Sequence, residues 1–424
     1  MAKKYNPFTP NQPVFTGMFA GRGNEIDRLD DLLFQTREGN PSHVLIQGER
    51  GIGKTSLLIV AKHLAQGGFN WEDEKYDFLA VQLGIRPNTT LVDLASRISE
   101  QIKRGLSQSD TALEFLKKSW KFLARIQSSV VSLAPEQQPR HSQEELLDKT
   151  IYSIVDTVKA ITKDTAASDL GLRGKKDGLV ILIDEVDQAD SSLQLGVFLK
   201  NLTEILSQED ANKVLLVLAG LPRARDVLRE SHESSLRLFE EFKLVPLTKE
   251  EVGNVIKGGL GELESRRITV SVSTGAIDKI HLYSEGYPHF VQQIGYSAYA
   301  LDSDNVIDVA DIERAMFSKN GALDLIGDRY YKDLYFGKIK QDSYRQILGI
   351  MALQFNEWVS KKKIGQVFIG KKSTLTNGIK ALRDRNIILS KPGERGLYRL
   401  QWVGFAVWIN RINQRKLKEN GSGQ

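Results

Sequence analysis

Compact apolar runs alternate with stretches of helical periodicity through the first half of the chain. His43–Gln47, Asp77–Leu83, the run from Leu179 to the pair Asp184-Glu185, and Val214–Gly220 each have the length of one strand. Their near-continuous hydrophobicity suits strands buried on both faces of a parallel sheet. Between them the period lengthens. Residues 24–38 read as a helix leading into the core, and Leu57, Leu58, Ala61, Leu64 and Ala65 recur at helical spacing. So do Leu113, Leu116, Trp120, Leu123 and Ile126, and then Leu147, Ile151, Ile154, Val158 and Ile161, with a loop over Ser132–Ser142 between the two sets. Strands alternating with helices predict an α/β fold, a three-layer parallel sheet. The helices at about 104–176 exceed what a crossover needs. They are read either as a packed helical insertion or as an arm contacting a partner.

The pattern changes after residue 248. Residues 250–318 read as a small helical bundle and 319–332 as a junction. Helices are expected at 341–354, 358–368 and 373–387, the third with Ser373 as its N-cap. Along it Leu375, Ile379 and Leu382 share one face, and Thr376, Lys380 and Arg383 another. Ile387–Ser390 then pairs with Leu397–Leu400 across a Pro/Gly tip. Three helices followed by a hairpin form a winged-helix pattern, a relative of helix-turn-helix.

Composition narrows the function classes. The 424 residues are 41% hydrophobic and 26% charged, an ordinary globular balance with room for more than one domain. No apolar stretch approaches a membrane span, and the N-terminal twenty residues lack the apolar core of a signal peptide, so a cytoplasmic location is expected. There is no cysteine, which removes thiol catalysis and Cys-based zinc sites, and the six histidines form no HExxH pair. The net charge of +5 is uneven: residues 331–424 hold 19 Lys/Arg against 6 Asp/Glu, a balance of +13, leaving −8 for the remainder. A basic module on a mildly acidic body suits a polyanion, although a basic surface can also serve solubility alone.

The sharpest chemistry lies after the first apolar run. Gly48-Glu49-Arg50-Gly51-Ile52-Gly53-Lys54-Thr55, continued by Ser56, fits GxxxxGK[ST] between a strand and a helix. Glycines let backbone N–H groups curl around a phosphate, and the helix N-terminus adds donors. Lys54 would bridge the outer phosphates, and the Thr55 hydroxyl would ligate Mg²⁺. Asp184, at the carboxyl end of a buried strand, would hold the metal directly or through water, and Glu185 would polarise the attacking water. The motif implies a P-loop NTPase that hydrolyses ATP.

Phe19-Ala20-Gly21-Arg22, with Glu25 and Leu29, resembles a segment of origin-recognition/initiator-type (ORC/CDC6-like) AAA+ ATPases and of the related STAND ATPases. There it lies by the adenine and ribose, which implies a nucleotide role for Arg22. Leu218–Pro222 is similar to the family's sensor-1 strand, although Gly220 and Leu221 supply no polar side chain. Arg237-Leu238-Phe239 followed by Val245-Pro246-Leu247 is similar to the R-x-F…PL box, whose arginine is often a finger reaching a neighbouring subunit. A surface salt bridge is the plainer reading of Arg237, and Arg223 and Arg225 are competitors for the finger. Gly286-Tyr287-Pro288-His289-Phe290 looks like the GxP segment of the helical lid, which implies that Pro288 packs near the base. His289 stands where many relatives have a sensor-2 arginine.

The resemblance covers roughly residues 15–315, and with the residue pattern the chain is expected to have four parts: an N-terminal extended segment and leading helix (1–42), an ATPase core (43–248), a helical lid (249–320) and a winged helix (335–415). The expected function is an AAA+/STAND-like ATPase in which ATP and Mg²⁺ drive a conformational or assembly switch. Lys371, Lys372, Lys380, Arg383, Lys391 and Arg395 would engage double-stranded DNA, and protomers or a protein partner would associate on ATP binding. The alternative is a regulatory ATPase, in defence or stress signalling, whose winged helix contacts protein.

Overall fold

The computed structural model describes residues 5–12, 19, 21–69, 71, 74–124, 143–355, 357–385, 387–391 and 393–421. The chain divides into two compact units, Arg22–Val245 and a second comprising Met1–Gly21 with Pro246–Gln424. This differs from the expected four-part division, because the first 21 residues group with the C-terminal half.

In the unit Arg22–Val245, β1 (His43–Gln47), β2 (Leu79–Gly84), β3 (Leu179–Asp184), β4 (Val214–Gly220) and β5 (Phe239–Lys243) form one sheet in the order β2-β3-β4-β1-β5. Every pairing is parallel. β1, β3 and β4 lie within a few residues of their expected places. β5 is an addition, a half-apolar Phe-Glu-Glu-Phe-Lys strand at the sheet edge.

Side chains alternate across the sheet as the strand period demands. Leu179, Ile181 and Ile183 of β3 and Val214, Leu216 and Leu218 of β4 share one core with α3 (Leu91–Gly105), α4 (Asp110–Ser119) and the helices Gln143–Thr162 and Leu195–Gln208. The opposite face takes α1 (Gly23–Arg37) and α2 (Lys54–Ala65), which gives the three-layer P-loop NTPase fold. The helical insertion is packed: Leu116, Trp120 and Leu123 are buried, as are Leu147, Ile151, Ile154, Val158 and Ile161. Ile126 and the loop expected at 132–142 lie outside the described residues.

The second unit is helical. Helices Lys249–Gly261, Thr274–Ser284, Pro288–Leu301 and Val309–Phe317 pack around a short parallel pair, β6 (Ser271–Val272) and β7 (Val306–Ile307). The N-terminal segment is part of this core. Phe8 is buried, Asn6 Nδ2 donates to the Tyr296 carbonyl at 2.9 Å, and the Thr9 N–H donates to Gln292 Oε1 at 3.1 Å. The stretch expected as a junction is helical, with Ala322–Ile326 continuing into π-helical turns over Gly327–Tyr331 and Asp333–Lys338. Gly327 is required there, since a Cβ would lie 1.9 Å from Trp408 Nε1.

Beyond it the order is helix Asp342–Ala352, β8 (Val359–Ser360), helix Lys361–Val367, helix Lys372–Asp384, β9 (Ile388–Ser390), β10 (Leu397–Leu400) and helix Val403–Gly421. The three strands form an antiparallel sheet ordered β8-β10-β9. Two expectations are corrected. Val359 and Ser360 pair as a strand before their helix begins, and the third helix starts at Lys372 with Lys371 at the cap position, so Ser373 is not its N-cap. Trp408 is buried against Tyr331, Tyr335 and Phe405, in keeping with a packing role. No helix among the described residues is long and apolar enough to cross a membrane.

Candidate functional site

β1 ends at Gln47, and the next six residues turn the chain into α2. Gly51 and Gly53 have φ of +83° and +100°, a region that disfavours side-chain-bearing residues. Gly48 is needed for space, since a Cβ would lie 2.7 Å from Ile52 Cγ2. Ile52 is buried, whereas Glu49 and Arg50 are exposed. α2 has no side-chain cap and no acidic residue in its first turn, so no carboxylate of its own competes for its N-terminal dipole.

Lys54 Nζ donates to the carbonyls of Gly48 at 2.8 Å and Glu49 at 2.9 Å. Burial pushes its ammonium below the usual lysine range, while Asp184, Asp187, Glu49 and Glu185 act to keep it charged. Thr55 Oγ1 donates to Asp184 Oδ2 at 2.6 Å. The other oxygen of Asp184 accepts the Glu185 N–H at 2.8 Å. Glu185 is exposed and has φ of +55°, marking the sharp turn out of β3. The structure thus brings the loop, Lys54, Thr55, Asp184 and Glu185 to one end of the sheet. Among the described residues no three His, Cys, Asp or Glu side chains form a metal cage by themselves.

A further carboxylate belongs to this cluster. Asp187 is 2% exposed, and its Oδ1 accepts the Leu221 N–H at 2.9 Å. Gln188 Nε2 donates to its Oδ2 at 2.9 Å, and Arg223 Nε donates to its carbonyl at 3.0 Å. Sequence reasoning missed Asp187, whose only signal is its place three residues after Asp184 in Asp-Glu-Val-Asp.

Arg22 is buried and braces the loop from its own side. Its Nη2 donates to the carbonyls of Val245 at 2.7 Å and Ile52 at 3.3 Å. Arg237 is exposed on the turn before β5. β1 and β5 run in parallel register, His43 opposite Phe239 and Gln47 opposite Lys243. Arg237 therefore sits at the opposite end of the strands from the P-loop, with the whole of β5, about 13 Å along the strand axis, between them. Arg225 pairs with Glu241 at 3.1 Å.

In the second unit, two segments singled out in the sequence meet. The Leu247 N–H donates to the Gly286 carbonyl at 2.8 Å, and a Cβ at Gly286 would lie 2.1 Å from the Leu247 oxygen. Pro288 occupies the first turn of its helix, a position that needs no N–H. His289 is packed among aromatic rings, 5.0 Å from Tyr330 and 6.0 Å from Phe290 between centroids.

Lys371, Lys372, Lys380, Arg383 and Arg395 are exposed, and Lys391 is half-buried. Two are partly neutralised nearby, Arg383 by Asp384 at 3.3 Å and Lys391 by Glu394 at 2.5 Å. Lys362 and Lys363, exposed in the first turn of the helix Lys361–Val367, extend the basic surface and were not singled out in the sequence.

Residues 18–217 match the AAA ATPase domain family. An uncharacterized HTH-type transcriptional regulator of Methanocaldococcus jannaschii is 25% identical over 260 residues, 60% of this chain. The chain spans 56% of that relative's length. The fold is similar to that of the ORC2 protein of Aeropyrum pernix in its ADPNP–ADP complexes (TM-score 0.55, 14% identity, 96% of this chain and 98% of that one). It is also similar to a Walker-type ATPase of Pyrococcus abyssi (TM-score 0.52, 16% identity, 95% and 99% covered).

Proposed function

From the match of residues 18–217 to the AAA ATPase domain family, we propose that the chain is an ATP-hydrolysing switch whose basic C-terminal module engages duplex DNA. The observation that carries the ATPase half is the meeting of Lys54, Thr55 and Asp184 at the mouth of the glycine loop. The donor set fits a nucleoside triphosphate. Positive-φ glycines and an uncapped helix N-terminus suit phosphate oxygens, and the Lys54 ammonium lies on the loop carbonyls that border them. A hydroxyl beside a carboxylate suits a hard divalent cation that takes its other ligands from phosphate and water.

Lys54 would draw the outer phosphates into the loop, and Thr55 with Asp184 would hold Mg²⁺, which when bound neutralises phosphate charge. Glu185, exposed beside Asp184, would orient and deprotonate the attacking water. Free energy for a switch comes from the difference in ATP and ADP affinity between two conformations. Arg237, remote from its own P-loop, suits a site completed by a second protomer.

The DNA half rests on the charge of +13 over residues 331–424 and on an element order that we read as a winged helix. The similarity to an HTH-type transcriptional regulator supports that reading. The competing reading, a regulatory ATPase whose winged helix grips protein, draws on exposed apolar side chains in the same module, Leu353, Val367 and Ile369. Both halves are testable on the full chain. Lys54→Ala should abolish ATP binding in a titration, whereas Glu185→Gln should bind ATP without turning it over. Normal ATP affinity in the Lys54 variant would remove the site assignment.

A further inference from the structure

A cleft of about 430 Å³ opens between the end of the helix Val309–Phe317 and one face of the helix Val403–Gly421. Val407, Asn410, Arg411, Gln414 and Arg415 form a single stripe along the second helix, and Phe317 closes the cleft from the other side. The cleft lies wholly within the second compact unit and includes none of the residues assigned to nucleotide or to DNA. Its volume is in the range of small-molecule sites.

One carboxylate serves two guanidiniums here. Asp324 Oδ2 accepts from Arg411 Nη2 at 3.3 Å, from Arg415 Nη2 at 3.0 Å and from the Asn320 N–H at 3.0 Å. An arginine does not deprotonate, so one positive charge is left over. Arg411 is fully occupied with structure. Its Nη1 donates to the Phe317 carbonyl at 2.6 Å and its Nη2 to that of Ser318 at 2.8 Å, closing the end of the helix Val309–Phe317. Burial pushes its guanidinium below the usual arginine range; Asp324 opposes that shift and the Arg415 cation adds to it. Arg415 is different. Its side chain is 48% exposed, and Asp324 is its one ion-pair partner among the described residues. Gln414 beside it is exposed as well.

The other walls are apolar. Val407 is buried, and the Phe317 ring meets Tyr283 edge-on, 5.8 Å between centroids, while remaining partly open to solvent. Asn410 is fixed by its Nδ2, which donates to the Ala352 carbonyl at 2.6 Å. A cleft with an unmatched guanidinium at one end and an aromatic ring at the other matches a molecule of the same two-part character.

We propose that this cleft binds a small organic anion, a carboxylate or phosphate monoester on an aromatic or aliphatic body, with the anionic end on Arg415 and Gln414 and the body against Phe317 and Val407. The inference is independent of the ATPase and DNA readings. Such a ligand would tie the helix Val309–Phe317 to the helix Val403–Gly421 and stabilise the unit that holds both.

The experiment titrates the full chain with benzoate, with phenyl phosphate and with uncharged benzyl alcohol, followed by ligand-observed NMR and by thermal unfolding. At least one of the two anions should bind with a Kd on the order of 1 mM and raise the melting temperature, and benzyl alcohol should bind at least tenfold more weakly. The stronger anion identifies the ligand as carboxylate or phosphate. Arg415→Gln should weaken it at least tenfold, Arg415→Lys should keep most of the affinity, and Phe317→Ala should weaken both anions. Lys54→Ala should change nothing beyond twofold. Anions that bind no better than benzyl alcohol, or that bind Arg415→Gln as well as wild type, would overturn the proposal. An equal loss in Arg415→Lys would also overturn it, because Arg415 would then only brace the helix. Binding that disappears in Lys54→Ala would place the anion in the glycine loop and remove this site.

Discussion

Thr55 Oγ1 and Asp184 Oδ2 lie 2.6 Å apart, although 129 positions separate them in the chain. One begins α2 and the other ends β3, two strands away from β1 in the sheet. A parallel sheet places all its carboxyl ends on one edge, so the contact follows from topology and not from proximity along the chain.

That contact predicts how the pair responds to metal. Asp184→Asn keeps the shape of the side chain and removes one charge. Mg²⁺-dependent tightening of ATP binding should fall on the order of tenfold or more, while ATP affinity in EDTA changes little. Calorimetric titration with and without Mg²⁺ measures the difference. An Asp184→Asn protein whose Mg²⁺ effect equals that of wild type would take the metal away from this pair.

Arg237→Ala should leave ATP binding intact and lower turnover only where protomers associate. Its position at the far end of β5 leaves its own site out of reach, so any rate contribution must pass to a neighbour. Such arginines contribute about 10³- to 10⁵-fold when they reach a transferring phosphoryl group. Turnover per site in wild type should therefore rise with protein concentration, and the variant should hold the dilute rate throughout. A wild-type rate that is flat across concentration, matched by the variant, would make Arg237 a surface residue.

The readable parts of the molecule were those whose signal is local. β1 and β4 declare themselves as runs of apolar residues, and the P-loop as a spacing of glycines around a lysine. β5 escaped because an edge strand exposes one face, so Glu240 and Glu241 interrupt its hydrophobicity. Phe8 sits between polar and proline residues that suggest an extended tail, and only the core formed around Tyr299 and Ile256 turns it inward. Asp187 had no local signal at all. Its role arises from the adjacency of β3 and β4, which brings the Leu221 N–H to its carboxylate. The two-unit division was hidden for the same reason, because the segment before Gly21 is fixed by contacts with residues almost 300 positions later.

His43 predicts acid sensitivity. Burial drives its imidazole from the ordinary 6.5 down to about 4, and its Nδ1 accepts the Leu216 N–H at 3.3 Å. The unfolded chain takes up a proton near pH 6.5 while the folded chain resists until near pH 4. Stability is therefore full above pH 6.5 and is lost as pH falls through this window, by roughly 3 kcal/mol at pH 4. Urea denaturation from pH 7.5 to pH 4.5 should expose this slope, and His43→Asn, which keeps an acceptor, should flatten it. Parallel pH profiles for the two proteins would assign the acid loss to other groups.

The C-terminal module separates the two functional readings by its dependence on salt. Lys371, Lys372, Lys380, Arg383 and Arg395 lie exposed on one helix, the turn before it and the β9–β10 hairpin, a geometry suited to tracking a phosphate backbone. About five phosphate contacts give a log–log salt slope near −4 to −5 for duplex binding. Replacing Lys380 and Arg383 together by Glu removes two contacts and adds repulsion, so the slope should drop by about 2 and binding should vanish at physiological salt. The intact ATPase rate of the double variant serves as the control for folding. A full chain that fails to bind duplex even at low salt, with or without ATP, would instead assign this surface to a protein, and Ile369 and Val367 would then be the first side chains to truncate.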